Sequence, residues 1–336
     1  ISGTGTYRNL ELNDVLGSNL FNSIAIDGTL TLTNGSFSIG TNTLTLNGAI
    51  NYTAGNFTGS NASNLVLSSN GVATSLPLVN AGLNNLSLTR TTPATTTFTN
   101  DISLSGNLTI ASLNTLADGG KTITVNGNVA HQGIYSGVGK ILLAGGASAH
   151  QLSGSSTYLN LEMDDVQGAT MFNSFTIQGN FNLVNGAFSI SNNTLTLSGT
   201  TNGAGFLAGT NNSSLVIAGV SGGNIGTIRF APASQNLGNF TMSRIGANGA
   251  VTLGSALTVF NNFNWPAANN GLIYLDNYNF NIDVLATANF NFASVGAMFV
   301  ASGSGKLVRG IPGGISTSTN FLFPVGENTG TLQYSP

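Results

Sequence analysis

His131 and His150 are the only two histidines in a chain of 336 residues, and both sit in an Ala-His-Gln triplet. They lie 19 residues apart, as do Lys121 and Lys140. If one structural repeat takes that many residues, the two rings lie above one another, and stacked imidazoles can hold a metal such as zinc. The chain has no cysteine to complete such a site, and no carboxylate adjoins either histidine in sequence. A polar ladder on the surface is therefore preferred here over a metal centre.

The acidic residues are the second source of chemistry. Glu11 and Asp14 are matched later by Glu162, Asp164 and Asp165. Paired carboxylates suit acid–base catalysis or calcium binding. These, however, recur at equivalent places, and adjacent strand residues point to opposite faces. No catalytic residue is assigned, no cofactor is expected, and the chain is read as a non-enzyme. The glycine-lysine segments Gly119–Lys121 and Gly137–Lys140 lack the spacing and the following helix of a phosphate loop. Thr-x-Thr strings such as Thr29–Thr33 are broken by Ser, Asn and Val at equivalent positions, so they read as ordinary outward strand residues.

Aromatic side chains are the third. Tyr135, Trp265, Tyr274 and Tyr278 could stack on sugar rings, which makes a glycan-binding or glycan-cleaving β-helix the alternative functional reading. The competing explanation is that these rings cover an enlarged core.

The elements that must position these residues follow from composition and period. Only 6% of residues are charged, against about a quarter in ordinary globular chains, yet 41% are hydrophobic. A net charge of -3 supplies no basic patch, so nucleic acid is not an expected partner. No run of about 18 apolar residues occurs, so membrane insertion through a helix is not expected either. The absence of cysteine excludes disulfides. The chain begins at Ile1 without a methionine or a basic leader, as expected for a segment of a longer protein.

Residues 1–48 align without a gap on residues 152–199, and 27 of the 48 positions are identical. Later anchors repeat too: NLSLTR at Asn85–Arg90 returns as NFTMSR at Asn239–Arg244. Inside each copy, apolar pairs flanking one residue recur, among them Ile24/Ile26, Leu44/Leu46, Leu65/Leu67, Leu86/Leu88, Ile102/Leu104, Ile123/Val125, Ile141/Leu143 and Leu159/Leu161. Period-2 alternation marks strands, and no helical periodicity competes with it. A regular return of this kind predicts an all-β fold, a parallel β-helix or β-solenoid of about 16–17 rungs of roughly 19 residues. Inward Leu, Ile, Val and Phe form a column, while Asn and Thr form uncharged ladders at the corners. The expected organisation is a first solenoid unit over 1–151 and a second over 152–310. Residues 311–336, which hold three of the seven prolines, are expected to end the solenoid and start a following module.

The run ISGTGTYRNLELND, the segment GTLTLTNGSFSIGTNTLTLNG and the later GSGKLVRGI, FLFPVGE and YSP resemble the repeat regions of very large secreted surface proteins of gliding, Bacteroidetes-type bacteria. The resemblance covers essentially the whole chain, and its motifs are structural. It implies type IX secretion, an extracellular or cell-surface location, and a structural or adhesive rod within a fibre-forming protein. The partners it implies are adjacent repeats or copies of the same chain, with surface glycans as a further class. It carries over no catalytic residue.

Overall fold

Alternation of apolar and small polar residues, punctuated by glycine, produces short strands and nothing else among the described residues. The computed structural model describes residues 1–69, 73–79, 82–266, 271–282, 290–292, 298–300, 303–309 and 331–334. The chain is a parallel β-solenoid, as the periodicity predicts, and every strand pairing among the described residues is parallel. It divides into two compact units, Ile1–Gln167 and Gly168–Pro336. Together they hold about 13 turns.

In the first unit each turn contributes three strands to three faces. One turn runs Asn85–Arg90, Ala94–Phe98 and Ile102–Leu104 before the chain returns at Leu108. On the first face Ile24 pairs with Leu44, Leu44 with Leu65, Leu65 with Leu86, Leu86 with Leu108, Leu108 with Val129 and Val129 with Leu152. Successive strands of this face thus stack roughly 20 residues apart, and the step from Val129 to Leu152 is the longest of them. Every member of this column is 4% exposed or less. The stacked column that defines the fold is therefore present.

The rung count expected from sequence is too high, for a physical reason. The short step from Leu86/Leu88 to Ile102/Leu104 is not a turn. Leu86 stacks on Leu108, and Ile102 lies on a different face of the same turn, where it stacks on Ile123. Counting pairs along the sequence mixes two faces. The last pair is also offset: Ile141 meets Leu161 and Leu143 meets Met163, so Leu159 is not the partner of Ile141.

In the second unit the turns lengthen. Phe175 pairs with Leu195 and Leu195 with Leu215, close to the spacing of the first unit. Leu215 then meets Phe240, and Phe280 meets Leu307, both across longer returns. The extra volume is filled by aromatics. Phe240 stacks on Phe263 at 5.8 Å, and Trp265 meets Phe263 at 5.6 Å and Phe299 at 5.4 Å. The enlargement expected around Asn261–Asn281 is real, although residues 267–270 lie outside the described residues. Of the module expected over 311–336, only Thr331–Tyr334 is described. It adds a parallel strand to Lys306–Arg309.

The boundary between the compact units falls beyond the boundary of the sequence repeat. Asp165 accepts the backbone N–H of Gly146 at 2.5 Å, which ties the start of the second repeat copy to the preceding turn. Tight corners need glycine at a few places. Gly17 and its repeat counterpart Gly168 both have φ of 75°, and a Cβ at either would strike the backbone carbonyl of the next turn, at Ser36 or Ala187.

A buried arginine recurs at one repeated place. Arg90 and Arg244, the last residues of the two matching hexapeptides, are each 3% exposed. Arg244 Nη1 donates to the carbonyls of Ser198 and Ala218 at 3.0 and 2.9 Å, and Nε donates to Gly223 at 3.2 Å. Burial lowers the affinity of both guanidiniums for their proton. The rigid guanidinium fork can hold several backbone carbonyls at once, which a lysine cannot.

Leu65→Ala should lower stability by about 2–5 kcal/mol, the usual cost of an unrefilled core cavity. Val66→Ala, one residue along and facing outward, should change it by less than about 0.5 kcal/mol. Urea midpoints of the two variants check the assignment of faces. Arg244→Met should destabilise by at least about 2 kcal/mol, because buried carbonyls then lose charged donors. Thermal melting reads that change.

Candidate functional sites: a buried histidine cluster and an outer amide groove

Strand alternation decides where each candidate side chain goes. The strand Val129–His131 places Val129 and His131 inward, and His131 pairs with Ile110 in a column of otherwise apolar residues. His150 heads a strand whose inward residues are His150 and Leu152. Both histidines are therefore buried, at 0% and 1% exposure, and neither is part of a surface ladder. Nor do they stack on one another. The ladder does not return at the histidine spacing: Val129 meets Leu152, not Ser148, which that spacing would select. In this register His131 falls opposite Gly154 and His150 opposite Gly127, at opposite ends of neighbouring strands.

His150 is locked in place. Its Nδ1 lies 2.6 Å from the carbonyl of Gly127 and its Nε2 lies 3.0 Å from Asp165 Oδ2. Both ring nitrogens thus face acceptors, an arrangement that an imidazolium satisfies fully. Neither nitrogen is left for a metal or for proton transfer to a substrate. Asp165 is 6% exposed. Burial works to raise its pKa. The backbone N–H groups of Gln167 and Gly146, together with His150, outweigh that and hold it below the ordinary carboxylate range.

The other carboxylates are engaged locally. Asp14, the repeat counterpart of Asp165, accepts Leu16 N–H at 3.0 Å, matching the bond from Gln167 N–H to Asp165 at 2.8 Å. Glu11 accepts the hydroxyl of Thr33 at 3.0 Å, and Glu162 pairs with Lys140 at 2.9 Å. Among the described residues no group of three or more His, Asp or Glu converges as a metal site would require.

His131 has a different environment. It packs edge-on against Tyr158 at 4.9 Å and Tyr135 at 6.4 Å, and neither ring nitrogen has a hydrogen-bond partner among the described residues. Burial pushes its pKa down to about 4. Burial, and then the nearby Asp118 carboxylate, push the Tyr135 phenol up. Asp118 is itself fully buried and accepts N–H bonds from Gly120 at 2.6 Å and Gly139 at 3.0 Å.

The four aromatic candidates separate into two pairs. Tyr135 is 4% exposed and Trp265 0%, so both sit in the core, as the competing explanation holds. Leu116 pairs with Tyr135, and Trp265 follows the inward Phe263 by two positions. Tyr274 alternates outward beside the inward Ile273 and is half-buried, while Tyr278 is 39% exposed in a turn. Only Tyr274 and Tyr278 of the four offer ring surface to solvent.

The expected uncharged ladders are present, and one of them forms a groove that no candidate residue above marks. On the outer side of the first face, Asn64 Nδ2 donates to Thr43 Oγ1 at 3.3 Å and Asn85 Nδ2 donates to Asn64 Oδ1 at 2.8 Å. Asn85 Oδ1 accepts Asn107 N–H, and Asn107 Oδ1 accepts Asn128 N–H, each at 2.7 Å. Beside this column lies an open groove of about 390 Å³ lined by Thr43, Asn64, Val66, Asn85, Ser87, Asn107 and Thr109, with Leu65 at its floor. The sequence signal is an asparagine just before the first inward apolar residue of successive coils, at Asn64, Asn85, Asn107 and Asn128. A second ladder runs Ser214–Asn239–Asn262 in the other unit.

Comparison with family models, with curated proteins and with solved structures finds no match to this chain.

The unfolded chain protonates His131 near pH 6.5, and the fold only near pH 4. Between those values the unfolded state binds more protons, so stability falls as pH drops. The loss should reach about 3 kcal/mol, at ~1.4 kcal/mol per unit. Urea unfolding from pH 7 to pH 4 measures it. His131→Leu should flatten that part of the profile while keeping the column filled.

Proposed function

We propose that the chain is a structural or adhesive segment of a larger extracellular or cell-surface protein, partnered by adjacent repeats or by copies of itself. One observation carries this reading. Val15 and Phe21 are 81% and 70% exposed, and their repeat counterparts Val166 and Phe172 are 78% and 54% exposed. Single exposed apolar residues are common. The same valine and the same phenylalanine kept out of the core in both copies suggest a surface used for contact. Other apolar residues, such as Leu16, Val138 and Val220, are exposed as well, and the net charge of -3 sets little repulsion between copies. The resemblance to secreted surface proteins of Bacteroidetes-type bacteria agrees with this reading and suggests type IX export.

No helix among the described residues is long and apolar enough to cross a membrane. No catalytic role is proposed, because the carboxylates described above are held by backbone or side-chain partners within the fold. A second reading, a glycan-binding module, is favoured by the uncharged groove and by the exposed ring of Tyr278.

The surface reading is tested on producing cells. An antibody to the chain should label intact cells, and deletion of the gene should reduce their attachment; labelling only after lysis would sink it. Partnership between copies is tested separately. The purified chain should sediment with concentration-dependent association, and Phe21→Ser with Phe172→Ser should abolish it without lowering the melting temperature. A chain that stays monomeric at every concentration removes copies of itself as partners.

A further inference from the structure

The groove beside the asparagine column is built differently from the exposed apolar positions, and it points to a different ligand. It crosses four successive strands, Thr43–Leu46, Asn64–Ser69, Asn85–Arg90 and Leu108–Ile110. Four strands at ~4.8 Å spacing make a track of roughly 15 Å that runs along the stacking direction. None of the eight lining residues is charged. Just before the inward leucine each coil presents an amide or a hydroxyl, at Thr43, Asn64, Asn85 and Asn107; two residues on, Ser87 and Thr109 carry hydroxyls and Val66 carries none.

The amides are held by one another, so their positions are set before any ligand arrives. Asn64 and Asn85 each spend one side-chain N–H in the column, on Thr43 and Asn64, and each retain the other. The remaining two bonds come from the backbone N–H groups of Asn107 and Asn128 to Asn85 Oδ1 and Asn107 Oδ1, and Asn64 Oδ1 accepts from both Asn84 and Asn85. Ser87 and Thr109 stand outward between the inward residues Leu86, Leu88, Leu108 and Ile110. Their hydroxyls make no side-chain hydrogen bond among the described residues. A row of neutral groups that both donate and accept, repeated at a fixed interval, matches a polymer that offers hydroxyls at a fixed interval. A polyanion would find no cation here, and a polycation no carboxylate. A peptide strand would need a free backbone edge, whereas the backbone under the groove is already paired on both sides.

We propose that the groove spanning Thr43 to Thr109 binds a neutral polysaccharide lying along the stacking direction. The inference rests on the surface reading above and names the class of ligand that an adhesive segment would hold. No aromatic ring lines the groove, so binding depends on hydrogen bonds that are each weak after exchange with water. One groove is therefore weak, and useful attachment comes from many chains acting together.

Saturation-transfer NMR on the full chain tests this. The probes are cellohexaose, maltohexaose and mannohexaose, with hexagalacturonate and chitosan hexamer as charged controls. At least one neutral hexasaccharide should show transfer, and both charged oligomers should show less. Ser87→Lys with Thr109→Glu, an opposite-charge pair on directly partnered outward positions, should block the groove and reduce transfer at least tenfold without lowering the urea midpoint. Three results would each overturn the proposal: silence from all three neutral hexasaccharides, transfer that survives the Lys–Glu pair, or stronger transfer to a charged oligomer. These results are independent of the cell-labelling experiment. Labelled cells with a silent groove would remove the groove and leave the surface reading, whereas an unlabelled cell with a sugar-binding groove would do the reverse.

Discussion

The parallel backbone ladder between successive turns is the constraint on which everything else in this protein depends. A turn can lengthen or shorten only where the chain is not yet paired, because each strand must re-enter in register with the strand before it. The first face shows this control: its returns stay close to one length all the way from Ile24 to Leu152. Register then fixes everything perpendicular to it. An inward residue meets the inward residue of its neighbour, so Leu stacks on Leu and an outward Asn stands beside an outward Asn. Long apolar columns and uncharged polar ladders are two consequences of the same pairing.

That geometry also explains how a chain with so few charges uses them. Most polar side chains need no countercharge, because an amide can donate to the amide of the next turn and accept from it. The ionisable residues that do enter the interior are held at defined points. Arg244 gathers carbonyls from several turns. His150 and Asp165 join the end of one repeat copy to the start of the next. His131, in contrast, takes a place that Ile, Leu or another apolar residue fills elsewhere in the column, and burial keeps it neutral. His131 and the His150–Asp165 pair thus collect where one repeat copy turns into its successor.

Surface chemistry follows from the same repetition. A solenoid multiplies whatever its outward residues do. Weak contacts become useful when they recur in register, which suits adhesion or lateral packing better than chemistry at a single point. The two kinds of outward feature are separate in character. Exposed Val and Phe at repeated corners offer apolar contact, while the Asn, Ser and Thr track offers hydrogen bonds without charge. They stand on different parts of the turn and need not share a partner.

Much of this is legible from residue order. The duplication, the strand alternation and the return of apolar pairs are local patterns, and they determine an all-β parallel solenoid with Leu44, Leu65 and Leu86 in one column. The asparagine spacing foretells the ladders, although not the groove beside them. Other features are decided only by the tertiary structure. The number of turns depends on which apolar pairs share a face, and the step from Leu86 to Ile102 within one turn looks in sequence like a short turn of its own. The spacing of His131 and His150 equals one turn only if the ladder returns at that interval, and it does not, because Val129 pairs with Leu152. Tyr135 and Trp265 are core rings because alternation with their strand neighbours, not aromatic character, selects the face. The reason is common to all of these: sequence carries the period along a strand, but the partner across the ladder is set by where loops allow the next turn to re-enter, and only folding chooses that register.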